Sequence, residues 1–161
     1  MIFDFTKYNT KHWYPGHMLK ASRQIKDKLK LVDVALVLLD SRIPISSINE
    51  TLNEILGNKA RIYVFNKIDM ATDKETEAWR KHFISQGHRV VLTDVPKKKG
   101  VDKIIPAVHK AIKEDRQKKG ATRPLLRPER MMIIGVPNVG KSSLINAMAS
   151  KKGTQTGPRP G

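Results

Sequence analysis

Cysteine is absent from the chain, which excludes disulfides, thiolate nucleophiles and cysteine-ligated metals. No apolar run approaches the length of a membrane-spanning helix, roughly 20 residues. The opening MIFDFTKYNTKHWYPGH lacks the apolar centre of a secretory signal, and its few basic residues make a poor mitochondrial presequence. These absences lead us to expect a cytoplasmic protein, or an organellar one whose targeting segment has been removed. Acidic side chains are also scarce, 15 against 31 lysines and arginines, for a formal net charge of +16 in 161 residues. Such an excess repels itself in the compact state and calls for a polyanionic partner, nucleic acid before an anionic membrane.

What is present is enough apolar sequence, 39% of residues, for one domain with a sizeable core. The segment HMLKASRQIKDKLKLV places Met18, Ala21, Ile25 and Leu29 on one face of a helix, with Lys20, Arg23, Lys26 and Lys30 on the other. VDVALVLLD (32–40) is apolar almost throughout, as in a parallel strand buried on both faces. Further strands are expected at RIYVFN (61–66), RVVLT (89–93) and RMMIIG (130–135). Helices are expected between them, with capping boxes at Ser47–Glu50 and Thr72–Glu75 and stops near Gly87 and Gly120. The helix from about residue 102 accommodates Pro106 if that residue lies in the first turn. Residues 120–129 read as a linker, and the tail KKGTQTGPRPG carries too much glycine and proline for regular structure. Alternation of strand and helix predicts a parallel sheet with helices on both faces, and ligands outside the carboxyl ends of its strands.

Two motifs then fall on one rim. GVPNVGKS (135–142) has the phosphate-loop pattern, between a strand and a helix. There Pro137, Asn138, Val139, Gly140 and Ser143 shape and line the loop, backbone amides and the helix end face phosphate oxygens, Lys141 reaches the β- and γ-phosphates, and Ser142 ligates Mg²⁺. NKID (66–69) supplies the base reader. Asp69 can accept from N1–H and N2–H₂ of guanine, whereas adenine would oppose it with an acceptor. Asn66 can meet the N7 and O6 edge and brace the phosphate loop, and the Lys67 stem can lie over the base. The base reader precedes the phosphate loop in sequence. Moving the chain termini to another loop reverses motif order and keeps the site.

Together WYPGHM (13–18), DSRIPISS (40–47), NKID, GVPNVGKSSLIN and TGPRPG (156–161) resemble the circularly permuted GTPases of the ribosome-biogenesis GTPase A family, in the family's order and over essentially the whole chain. The resemblance implies a three-layer P-loop GTPase-like α/β fold in which the RMMIIG strand adjoins VDVALVLLD, followed by RIYVFN and then RVVLT. It implies GTP and GDP as ligands, Mg²⁺ as cofactor, and a role in assembling the large ribosomal subunit on rRNA. It also implies a partition into a basic N-terminal segment (1–31), a guanine-binding half (32–119), a linker (120–129) and a phosphate-loop unit reaching the first switch (130–161). The family continues further, so an incomplete domain is expected here, one that is monomeric when complete. Asp94 and Val95 stand where the family places a small residue whose backbone touches guanine. Asn138 is a candidate for coordinating potassium. His17 is a candidate for orienting the attacking water, and Trp13 and Tyr14 for packing or RNA stacking. Lys97, Lys98 and Lys99 form a basic loop suited to phosphates or to solvent.

Two alternatives remain at this point. VALVLLD also has the form of a Walker B strand, which would make Asp40 a magnesium residue of an ATPase. Otherwise Asp40 and Arg42 fix the rim or contact a partner. The chain could also be a basic RNA-binding module with a vestigial nucleotide site.

Overall fold

The computed structural model describes residues 23–48, 50–121 and 123–152. Its centre is a parallel sheet of β1 (Val34–Asp40), β2 (Arg61–Asn66), β3 (Arg89–Leu92) and β4 (Met131–Ile134), in the spatial order β3-β2-β1-β4. This is the neighbour order that the resemblance implied. All seven residues of β1 are buried, because an inner strand covered on both faces needs apolar side chains in both directions. In the register, Leu36 lies beside Ile62 of β2 and Ile133 of β4.

Alternate residues feed opposite faces of the sheet. Leu36, Leu38, Ile62, Val64 and Ile133 pack with Ile104, Val108 and Ile112 of α4 (Ile104–Lys118) and Leu144 of α5 (Lys141–Lys152). Val37, Leu39, Tyr63, Phe65 and Ile134 pack against the other layer. That layer comprises residues 23–29 (α1), α2 (Glu50–Leu56) and α3 (Asp73–Ser85), and it contributes Leu29, Leu56 and Phe83. The Phe83 ring stands edge-on to Tyr63 and Phe65 at centroid separations of 5.0 and 5.1 Å, the favoured aromatic geometry. Burying each such side chain contributes about 1.5–3 kcal/mol of transfer free energy.

Local signals explain the helix boundaries. Thr72 caps α3, accepting from the Glu75 amide at 3.2 Å and donating its hydroxyl proton to the Glu75 carboxylate at 2.7 Å. The chain turns after α3 at Gly87 and after α4 at Gly120. Pro106 lies in the first turn of α4, behind a short 3₁₀ turn at Val101–Lys103, where the missing amide proton costs no helical bond. The expected Ser47–Glu50 capping box rests on the Glu50 side chain, which lies outside the described residues. The Ser47 hydroxyl donates to Ile43 O at 2.9 Å and accepts from the Asp40 amide at 3.3 Å, which closes the loop after β1.

Residues 123–130 contain no helix or strand. They are fixed by Arg127, whose guanidinium donates to both Asp33 oxygens at 2.8 and 2.9 Å, and by the Arg130 amide, which donates to Asp33 at 2.8 Å. Burial alone would raise the Asp33 pKa, but the hydrogen bonds and charge of these partners hold it below its ordinary value.

Candidate functional site

Because the strands are parallel, their carboxyl ends share one rim. Asp40 ends β1, Asn66 ends β2, Thr93 follows β3 and Gly135 follows β4. Asn66 is the centre of the arrangement and is 2% exposed. Its Nδ2 donates to the carbonyl of Val139 at 3.0 Å. Its Oδ1 accepts from the Thr93 hydroxyl and the Val95 amide, each at 3.3 Å. Its backbone carbonyl accepts from the Ser41 amide and hydroxyl, at 2.9 and 2.7 Å. One asparagine thus ties the ends of β1, β2 and β3 to the phosphate-loop sequence.

Lys67 makes a second tie. It adopts a left-handed backbone with φ 62°, and its ammonium donates to Asn138 O at 2.9 Å and to Asp40 Oδ2 at 3.2 Å. The lysine stem therefore spans the gap between the NKID turn and the loop after β4. The other contacts of the Asp40 carboxylate come from Arg42, whose amide, Nε and Nη2 donate to it at 3.0, 3.0 and 2.8 Å. The hydrogen bond from Arg42, partly opposed by burial and reinforced by Lys67, holds the Asp40 carboxyl well below the usual carboxylate range. Both of its oxygens are engaged by cationic side chains. These are the contacts of a residue that fixes the rim, and a hydrated metal ion would have to displace them.

The loop after β4 wraps tightly. A Cβ on Gly135 would come within 2.7 Å of Leu38 O, so only glycine lets the backbone pass this close to β1. Gly140 has φ +103°, and a Cβ there would meet Asn66 Nδ2 at 2.4 Å. Val139 is buried in the core while Pro137 and Asn138 are exposed, Asn138 with φ 63°. Lys141 is 3% exposed, and its ammonium donates to Gly135 O at 2.9 Å and Val136 O at 2.8 Å. Its charge is therefore held within its own loop. Ser142 and Ser143 are exposed on the first turn of α5.

Asp69 lies in the 3₁₀ turn Ile68–Met70 and is exposed, with no partner for its carboxylate among the described residues. Asp94 and Val95 are buried, and both backbone N–H groups are already engaged, the first by Lys99 O at 3.0 Å and the second by Asn66 Oδ1. Lys97 pairs with Asp94 at 3.3 Å, while Lys98 and Lys99 complete the loop. His17, Trp13, Tyr14 and the segment 156–161 lie outside the described residues. Thr93 and Ser41, which orient Asn66, escaped the sequence reading. A hydroxyl after a strand is too common a signal to single them out.

Comparison with known proteins is consistent with this geometry. Residues 130–161 match the family described as 50S ribosome-binding GTPase. Ribosome biogenesis GTPase A of Bacillus licheniformis is 44% identical over 92% of this chain and 53% of its own length. The chain is homologous to the ribosome biogenesis GTPase A proteins. Mitochondrial ribosome-associated GTPase 1 of Xenopus tropicalis is 34% identical over 99% of the chain and 52% of its own length. The GNP-bound crystal structure of YlqF from T. maritima superimposes with a TM-score of 0.55 at 32% identity, over 80% of this chain and 47% of that one. The fold is thus P-loop GTPase-like, with its helices on both faces of a parallel sheet. The chain spans about half the length of the curated relatives it matches.

Proposed function

We propose that this chain is the guanine-nucleotide-binding part of a circularly permuted GTPase that assists assembly of the large ribosomal subunit and docks on rRNA in a nucleotide-dependent way. The observation that carries the reading is the hydrogen bond from Asn66 to Val139, joining the NKID turn to the phosphate loop across 73 positions. Two motifs that bind opposite ends of one nucleotide are useful only if they are fixed to each other. The names of the bacterial and mitochondrial relatives support the ribosomal role, in the cytoplasm or in an organelle.

In this reading Asp69 accepts the two guanine N–H groups, which its exposed and unpartnered carboxylate leaves it able to do. The Lys67 stem flanks the base. The amides of residues 138–143 and the start of α5 surround the phosphates. Lys141 turns from its own loop's carbonyls to the β- and γ-phosphates. Among the described residues no group of three His, Asp or Glu side chains could hold a metal. The exposed Ser142 hydroxyl is the group that would ligate a phosphate-bound Mg²⁺, a usual arrangement for this cation. When bound, Mg²⁺ neutralises charge on the transferring phosphoryl group. Asn138 could add a potassium ligand, and His17 is the candidate for orienting the water. The protein's work is positioning and charge stabilisation.

Displacement of labelled GDP tests the reading. GTP should compete and ATP should not. Equal competition by ATP would favour an ATPase, and salt-sensitive RNA binding without any nucleotide binding would favour an RNA module.

A further inference from the structure

In a parallel sheet with right-handed crossovers, helices run against the strands, so their carboxyl-terminal ends gather at the rim opposite the nucleotide loops. Here that rim holds a cavity of about 350 Å³ lined by Lys26 and Lys30 of the α1 region, Lys59 ahead of β2, and Lys119 at the end of α4. Buried Leu29 and Leu56 also line it, and no carboxylate does. Each acid near these lysines has a cation of its own. Asp27 pairs with Lys30 at 3.1 Å, Asp115 with Lys119 at 2.7 Å, and Asp33 with Arg127 at 2.8 Å. The first and second of these pairs use lysines of the hollow itself, Lys30 and Lys119, and because both lysines are well exposed the pairs are weak.

Helix ends attract cations, which accounts for Lys30 and Lys119. It does not account for Lys26, a turn further in, or for Lys59, which lies in the connection after α2. Lys59 donates to Val32 O at 2.9 Å and forms no direct ion pair among the described residues. Burial and then the charge of Lys119 push its pKa down, partly opposed by the charges of Asp33 and Asp115. Asp27 and Asp115 offset part of the charge of Lys30 and Lys119 from outside the lining, and the four ammonium groups leave a positive surface that an anion placed among them would complement.

We propose that this lysine cradle binds the phosphodiester backbone of RNA. The inference rests on the RNA-docking part of the proposed function and gives it a surface, on the rim remote from the nucleotide. The lining holds lysine and no arginine, so it offers point charges rather than the planar fork that reads base edges. That suits phosphate contacts, which position a nucleic acid without reading its sequence. The net charge of +16 supplies the long-range attraction.

The test is fluorescence anisotropy of a short labelled RNA duplex with the parent protein and with the double variant Lys26→Ala, Lys119→Ala. Both side chains are exposed, and Lys59, which holds Val32, is left in place. The variant should bind about tenfold more weakly near physiological salt. Its log–log salt slope should be shallower by about 2, for two lost phosphate contacts. The double variant Lys74→Ala, Lys81→Ala, which removes the same charge from α3, should change affinity far less. Superimposed parent and cradle-variant curves would overturn the proposal, as would equal loss in the α3 control. Tighter binding of the parent to phosphatidylserine–phosphatidylcholine vesicles than to RNA would also overturn it. GDP affinity measured on the same samples reports the nucleotide reading separately: unchanged GDP binding with no RNA binding by the parent would sink the docking surface and leave the nucleotide site standing.

Discussion

Asn66 Nδ2 donates to the Val139 carbonyl at 3.0 Å, although the two residues are 73 positions apart in the chain. The bond is buried, and the amide that makes it is locked by Thr93 and Val95 on its other side. Together with the Lys67 bridge to Asn138, it makes the two loops one rigid body. A site held this way is organised before its ligand arrives, so less binding free energy goes into ordering it.

Asn66→Ala removes the brace and leaves the Val95 amide and the Val139 carbonyl buried without partners. Each such group costs about 1–3 kcal/mol. The midpoint of urea unfolding should fall accordingly, and GDP affinity by titration calorimetry should drop tenfold or more. A variant that binds GDP as tightly as the parent would remove Asn66 from the site.

Gly140→Ala acts on the same contact from the other side. The added Cβ would lie 2.4 Å from Asn66 Nδ2, at φ +103°. Asn66 cannot yield, because its amide has three partners. Backbone strain of this kind costs about 1–3 kcal/mol. We expect lower stability together with loss of nucleotide binding. Ser150→Ala, on the exposed last part of α5, should change neither beyond a few tenths of a kcal/mol.

The sheet was legible because its evidence is local and repeated. VALVLLD is apolar up to its closing aspartate, RIYVFN and RMMIIG nearly so, and Thr72–Glu75 marks a helix start by chemistry that acts over three residues. GVPNVGKS and NKID were legible because their spacing is demanded by a ligand. The loop-closing role of Ser47 was not legible, because a serine hydroxyl has several local uses and its partners Ile43 and Asp40 are set by the folded loop. Asp40 was ambiguous for a related reason. A strand-ending aspartate suits a metal, a turn or an ion pair, and the deciding residue, Lys67, lies 27 positions away.

Asp40→Asn separates rim structure from metal binding. The folded-state pKa of Asp40 is depressed by Arg42 and Lys67. Its stabilising contribution is therefore complete above the unfolded-state pKa, about 3.9, and is lost as pH falls from there toward the folded value. The parent should be more stable than the variant by a constant margin between pH 5 and 8, and that margin should narrow below about pH 4. Urea unfolding at stepped pH measures it. The Mg²⁺ dependence of GDP affinity should be the same in both proteins, whereas its loss in the variant would make Asp40 a metal residue after all.

Asp69→Asn tests the base reader itself. A carboxylate accepts from both guanine N–H groups, while an asparagine presents one acceptor and one donor. Hydrogen bonds to a charged group contribute about 1.5–3 kcal/mol each, so GDP affinity should fall by tenfold to several hundredfold. Xanthosine diphosphate carries a carbonyl where guanine has its exocyclic amine, and that carbonyl can accept from the new amide. Its affinity should rise in the variant. Asp69 is exposed and without a partner among the described residues, so the substitution should leave the unfolding midpoint unchanged. A loss of affinity could then not be ascribed to misfolding. An unaltered preference for guanine over xanthine would mean that some other group reads the base.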